Sequence, residues 1–189
     1  HLMCNFHGTY KPTGLNRTYP NVINFEGVHG LEQMKWGELK NADQVVYDVT
    51  IPFTRMVAGP MDYTQGAMRN ATRDTYRPVN SDPMSQGTRC HQLAEYVVFT
   101  SPLNMLCDSP THYEREQQCT DFISAVPTVW NETRPLEGKI GEYVAIARRH
   151  GSTWYVGALT DWNARSLILD LSFLGKGNFV GEVFSDGPN

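Results

Sequence analysis

Apolar residues along this chain fall into short runs bounded by polar and glycine-rich punctuation, and the spacing of those runs changes part-way along. Leu2–Phe6 is a compact apolar run closed by His7-Gly8, short enough for a buried strand and too short for a helix with its own face. Thr9–Pro20 carries Pro12, Gly14 and Pro20 with no 3.6-residue period, which predicts a loop. In Asn21–Gln33, Val22, Ile23 and Phe25 predict a second strand that ends in Glu26; Gly27 and Gly30 then mark a turn that delivers Glu32. Trp36–Tyr47 reads as irregular. A helix is predicted from Thr50, with Thr50 as cap, Pro52 in the first turn, Ile51, Met56 and Val57 on one face, and Gly59-Pro60 as the stop. Met61-Asp62-Tyr63 predicts a very short strand, and the polar stretch Ala67–Pro83 a long surface excursion. The strongest helix signal spans Ser85–Leu106, with Leu93, Val97, Val98, Leu103 and Leu106 as its buried face and Pro102 as a kink. A shorter helix is expected over Thr111–Val126.

After Pro127 the grammar becomes that of an antiparallel sheet. EYVAIARR and TWYVGALT flank His150-Gly151-Ser152 as a hairpin would, Ser166–Leu174 alternates Leu167, Leu169, Leu171 and Phe173, and Phe179–Phe184 predicts a last strand. The expected division is therefore 1–127, with helices and short strands, and 128–189, with sheet.

Composition narrows the function classes. With 40% hydrophobic residues over 189 positions the chain can bury a core, and a formal net charge of −4 without a Lys/Arg cluster argues against nucleic acid. No apolar stretch approaches the roughly 20 residues of a membrane span, so membrane insertion is not expected. The absence of a basic-then-apolar leader and the start at His1 are expected of a fragment. Cys4, Cys90, Cys107 and Cys119 match neither a metal knuckle nor a dense disulfide framework, and most are expected as buried thiols. Asn-x-Thr sequons at Asn16, Asn70 and Asn131 matter only in a eukaryotic secretory route.

Chemistry concentrates on Glu26 and Glu32. A strand that closes on Glu-Gly with a second glutamate just beyond reads as an active-site rim in a barrel, where loops follow strand ends; two solvated loop glutamates are the alternative. Asp62 either lines the same pocket or caps a turn, and Trp36 and Tyr10 either stack on a ligand or fill a core.

HGTYKPTGLNRTYPN, NFEGVHGLE, PFTRMVAGPMDYTQG and PMSQGTRCHQLAEYVVFTSPLNMLCDSP, in this order, resemble glycoside hydrolase family 97, whose members act on α-glucosides and α-galactosides. The resemblance implies an α/β then all-β fold, in which residues 1–127 form the C-terminal part of a catalytic (β/α)8 TIM barrel and residues 128–189 part of an antiparallel β-sandwich. It implies that the chain is roughly a quarter to a third of an enzyme. In the pattern EGVxGxE, Glu32 matches the general acid, Glu26 a ligand of an active-site Ca²⁺, and Glu32 also lies in that ion's carboxylate shell. His7 falls where the family contacts the sugar. Gly8 stands where the inverting α-glucosidases carry a glutamate base, and so resembles the retaining α-galactosidase branch, whose Asp nucleophile lies on an earlier barrel strand outside this sequence.

A glycosidase acid must hold its proton near neutrality, which requires burial or negative neighbours. Carboxyl groups about 5–5.5 Å apart give retention and about 6.5–9.5 Å inversion. The expected activity is hydrolysis of terminal α-galactosides in an α-linked oligosaccharide, dependent on Ca²⁺ and on the remainder of the parent enzyme, with the fragment alone inactive. Alternatives are an inverting α-glucosidase of the same family, which Gly8 argues against, and a non-catalytic carbohydrate-binding module built on residues 128–189. The resemblance further implies a periplasmic or secreted parent.

Overall fold

The computed structural model describes residues 2–36 and 42–187; the expected irregular segment Trp36–Tyr47 lies in part outside them. Strand β1 (Cys4–Phe6) pairs in parallel with β2 (Val22–Phe25), the two joined by a connection that holds the single-turn helix α1 (Leu15–Thr18). Strand β2 meets the expectation for Asn21–Gln33; over Leu2–Phe6 a strand forms only from Cys4 and is not buried as expected, with Leu2 80% and Met3 79% exposed. Beside β2 runs Met61–Tyr63, which is not assigned as a strand, although the Asp62 amide donates to the Phe25 carbonyl at 2.8 Å and that of Met61 to the Thr100 carbonyl at 2.9 Å.

Helix α2 (Gln44–Asp48) starts on the side chain of Asp43, which accepts from the Val46 amide at 3.1 Å. The helix expected from Thr50 is instead a pair of 3₁₀ turns, Ile51–Phe53 and Arg55–Ala58. Thr50 does not cap it, because its hydroxyl donates back to the Val46 carbonyl at 2.7 Å; Ile51 is buried while Val57 is 80% exposed, so the expected shared face does not form. Two-residue strands β3 (Asn70–Ala71) and β4 (Ser85–Gln86) pair in parallel across the predicted surface excursion.

Helix α3 (Arg89–Val98) replaces the longer helix expected over Ser85–Leu106. Thr88 caps it by accepting from the His91 amide at 3.1 Å, and Phe99 is already extended, so Pro102 lies beyond the helix rather than kinking it. Leu93, Val97 and Val98 are buried as expected; Leu103 and Leu106 are exposed. The helix expected over Thr111–Val126 is divided into α4 (Pro110–Arg115) and α5 (Gln117–Ala125) at Glu116, whose ψ of 51° is not helical.

Residues after Pro127 form an antiparallel meander of β5 (Glu132–Lys139), β6 (Tyr143–His150) and β7 (Thr153–Thr160), with Gly151 turning the predicted hairpin at φ 59°. Strand β5 was not legible in the sequence: half of its residues are charged and most are exposed, and Pro135 is tolerated because β5 is an edge. The strands expected at Ser166–Leu174 and Phe179–Phe184 are absent. Leu167 and Leu169 do alternate with exposed neighbours, but no strand lies alongside to complete a ladder, and only a 3₁₀ turn forms at Ser172–Leu174.

One apolar cluster takes Val28, Val49, Ile51, Met61, Tyr63, Val98 and Phe99 from before residue 127 and Val144, Ile146 and Leu159 from after it. Helix α3 lies so close on β7 that a Cβ added at Gly157 would stand 2.8 Å from Val97 Cβ and 3.0 Å from the Ala94 carbonyl oxygen. Arg148, buried on β6, ties the two parts together. It donates to the last carbonyls of α3, Val97 at 2.6 Å and Val98 at 2.9 Å, and to the hydroxyls of Thr133 and Thr100. These helix-end carbonyls have no partner of their own within the helix. Burial pushes the guanidinium down to about 10. Arg148→Met keeps the stem but strands these acceptors, and hydrogen bonds to charged groups are worth about 1.5–3 kcal/mol each. A loss of roughly 3 kcal/mol in urea unfolding of the chain is expected; a loss below about 1 kcal/mol would show that the clamp is dispensable.

No described helix is long and apolar enough to cross a membrane. Cys4, Cys90 and Cys119 are half-buried and Cys107 is exposed, so the thiols are free without being core residues as expected.

Candidate active site

The parallel register of β1 and β2 sets Phe6 opposite Phe25, so the next residue of each strand, His7 and Glu26, leaves the same end side by side. Glu26 is 2% exposed. Its Oε2 accepts from the Gly8 amide at 2.5 Å and its Oε1 from Gln33 Nε2 at 3.3 Å. Burial raises the Glu26 carboxyl above its ordinary range, and the Gly8 amide opposes that by stabilising the charge. Gly8 turns its amide inward through a left-handed φ of 62°, a conformation that costs glycine little. Gly27 is needed twice over: its φ is 55°, and an added Cβ would stand 2.4 Å from the Lys11 amide nitrogen.

His7 is held from behind by Asp62, whose Oδ2 lies 2.9 Å from Nδ1. A carboxylate only accepts, so Nδ1 carries the hydrogen and Nε2 faces the site, 3.4 Å from Glu32 Oε1 and 3.6 Å from Glu26 Oε1. The Asp62 bond is the main reason that the imidazole is raised above its usual value; its burial acts against this, and the charges of Glu26, Asp62 and Glu32 support it. Asp62 is fully buried and also accepts from Asn5 Nδ2 at 3.1 Å, so it neither caps a turn nor lies open in the pocket.

Glu32 arrives on the 3₁₀ turn Leu31–Lys35. Its Oε2 accepts from the Thr64 hydroxyl at 2.6 Å, and the Leu31 amide donates to that hydroxyl at 2.7 Å. Glu32 Oε1 is buried and accepts no hydrogen bond among the described residues, with the His7 imidazole 3.4 Å away. Ligand atoms of His7, Glu26 and Glu32 all lie within 4.8 Å of one another. His7, Gly8, Glu26 and Glu32, the residues singled out above, thus lie beside one another. Tyr10 and Trp36 are both exposed, Tyr10 with its ring 6.1 Å from that of Phe25.

Two features have no signal in the sequence. Arg55 is buried and spends its donors on main-chain carbonyls: Phe25 at 3.0 Å, Glu26 at 2.9 Å, Gly59 at 3.0 Å and Pro60 at 2.9 Å. It anchors the end of β2 from which Glu26 projects. Helix α3 also carries His91 and Glu95 into a buried polar cluster with Asp48. His91 Nε2 lies 3.2 Å from Asp48 Oδ2 and 3.3 Å from Glu95 Oε1, and Tyr63 donates to Asp48 Oδ1 at 2.5 Å. Burial by itself would lower the His91 pKa, but its bonds to the two carboxylates outweigh that and bring it to about 10.

The family model described as "Glycosyl-hydrolase 97 C-terminal, oligomerisation" matches residues 129–189, and that described as "Glycoside hydrolase 97" matches residues 1–28. Over its whole length the chain is 62% identical to a retaining alpha-galactosidase of Bacteroides thetaiotaomicron. The chain belongs to glycoside hydrolase family 97. A probable retaining alpha-galactosidase of Streptomyces bingchenggensis is 32% identical over 189 residues. A family 97 enzyme from Pseudoalteromonas sp. strain K8, solved with panose and with acarbose, matches with a TM-score of 0.74 and 36% identity over 92% of this chain and 26% of that one. The chain spans 28% and 27% of the two curated relatives' lengths.

Proposed function

We propose that this family 97 chain carries the acid side of the active site of a retaining α-galactosidase, working as part of a longer polypeptide. In this reading residues 1–127 are the last part of a (β/α)8 barrel, whose strand ends present the site, and residues 128–189 belong to the sheet domain behind it. The observation that carries the reading is Gly8. It offers an inward amide to Glu26 where an inverting enzyme needs a carboxylate base, and its left-handed φ is one that a glutamate would adopt only under strain.

Glu32 gives its proton to the glycosidic oxygen as the bond from that oxygen to C1 breaks, while a carboxylate outside this chain forms the new bond to C1. In the second step Glu32 takes a proton from water, whose oxygen attacks C1 and releases the nucleophile. His7, held by Asp62, turns Nε2 toward the sugar hydroxyls. The donor set also suits a Ca²⁺ ion: two carboxylates meet at one mouth, and Glu32 Oε1 accepts no hydrogen bond among the described residues. Glu26 and Glu32 would hold the ion, which when bound supplies a fixed positive charge to orient carboxylates and sugar hydroxyls. The His7 nitrogen is a poorer match for this hard cation.

The test is proton NMR of the anomer first released when the full-length enzyme, with calcium, hydrolyses an α-galactoside. An α-anomer is expected. A β-anomer would mean inversion, and the family's α-glucosidase mechanism with a base other than residue 8 would replace the present one.

A further inference from the structure

We propose that Thr64 is a positioning residue for Glu32 and that residue 30 is glycine to let the two meet; the proposal rests on Glu32 acting as the acid. Thr64 has one hydroxyl hydrogen. The Leu31 amide already donates to its oxygen at 2.7 Å, so the hydroxyl is a bridge between that amide and Glu32 Oε2, 2.6 Å away. The bridge is held from both sides along the chain. Tyr63 and Gln65 are each fully buried, Tyr63 by its bond to Asp48 and its edge contact with Phe99 at 5.0 Å.

The turn that brings Glu32 back to Thr64 passes directly over this contact. A Cβ added at Gly30 would stand 2.4 Å from Thr64 Oγ1 and 2.6 Å from Glu32 Oε2, displacing the very atoms that form the bridge. The Gly30 backbone itself is ordinary, with φ −77°. Steric room is therefore the requirement at this position, not backbone freedom. Without the bridge the glutamate side chain regains its rotamers, and an acid displaced by about 1 Å loses on the order of 10²-fold in rate.

The experiment compares Thr64→Val, Thr64→Ser, Gly30→Ala and Glu32→Gln in the full-length enzyme on two substrates. A methyl α-galactoside needs acid assistance to its leaving group, whereas α-galactosyl fluoride needs little. The readout is kcat/KM, which reports the bond-breaking step. Thr64→Val and Gly30→Ala are expected to lose about 10- to 100-fold on the methyl glycoside and less than about 3-fold on the fluoride, with Thr64→Ser close to the parent on both. Activity on the fluoride also verifies that each variant is folded, and if Thr64→Val does not fold, Gly30→Ala carries the test. Equal losses on both substrates, or none on either, beside a Glu32→Gln variant that does discriminate between them, would overturn the positioning role alone. A Glu32→Gln variant that fails to discriminate would overturn the acid assignment, and the proposal with it.

Discussion

Glu32→Gln in the full-length enzyme is expected to lower kcat on an alkyl α-galactoside by about 10²- to 10⁴-fold, the usual contribution of a positioned acid or base. Glutamine retains a side-chain oxygen that can accept from Thr64, so the substitution removes the transferable proton and leaves the bridge to the Leu31 amide in place. Both steps of a retaining reaction use the same residue, so a good leaving group restores only the first. The second should then recover with sodium azide, an anion that attacks C1 without needing a base. Its attack from the face opposite the nucleophile gives the α-galactosyl azide, which thin-layer chromatography and NMR identify. Unchanged turnover of the alkyl galactoside would remove Glu32 from the chemistry.

Replacing Arg55 by Met should have the largest structural effect near the site. Among the described residues its guanidinium has no carboxylate partner; its charge is spread over the carbonyls of Phe25, Glu26, Gly59 and Pro60. Burial lowers its pKa somewhat, but an arginine remains charged throughout the physiological range. Loss of several charge-assisted bonds and exposure of buried acceptors to an apolar stem should cost about 3–5 kcal/mol, seen as a lower urea midpoint at unchanged slope. The end of β2 then loses its anchor, and in the full-length enzyme kcat should fall along with affinity for calcium. Lysine cannot reproduce the fork and should recover only part of the stability. A destabilisation below about 1 kcal/mol would mean that water satisfies these carbonyls, and that Arg55 does not hold Glu26 in place.

Much of the site was readable along the chain because its signals are local. The apolar runs that make β1 and β2 end at His7 and Glu26, and Gly27 and Gly30 mark the turn that brings Glu32 back. The alternation around Gly151 likewise sufficed for the β6–β7 hairpin, and Leu93, Val97 and Val98 marked the buried face of α3. Each of these depends on neighbours within one turn or one strand, where residue type alone decides which side is dry. The resemblance to family 97 then implied roles for Glu26 and Glu32, which the pattern had already grouped, and added His7 and Gly8 to them.

What tertiary structure decided depends on partners far apart in sequence. Arg55 and Arg148 look like surface charges until main-chain carbonyls converge on them, and Asp62 like a turn residue until His7 and Asn5, more than fifty positions away, meet it. His91 and Glu95 are tolerated in the core because His91 is bonded to Asp48, which Tyr63 also holds, and Glu95 to His91 and Gln92, bonds without which burying them would be costly. The same dependence works in reverse. Strand β5 forms from an unpromising charged segment because β6 offers it an edge, while the apolar alternation of Ser166–Leu174 pairs with no strand among the described residues and forms none, although Phe173 packs on Trp154 of β7. A pattern proposes which face a residue prefers, but a ladder of hydrogen bonds and a buried charge each require a second segment in place, and that is a property of the folded chain.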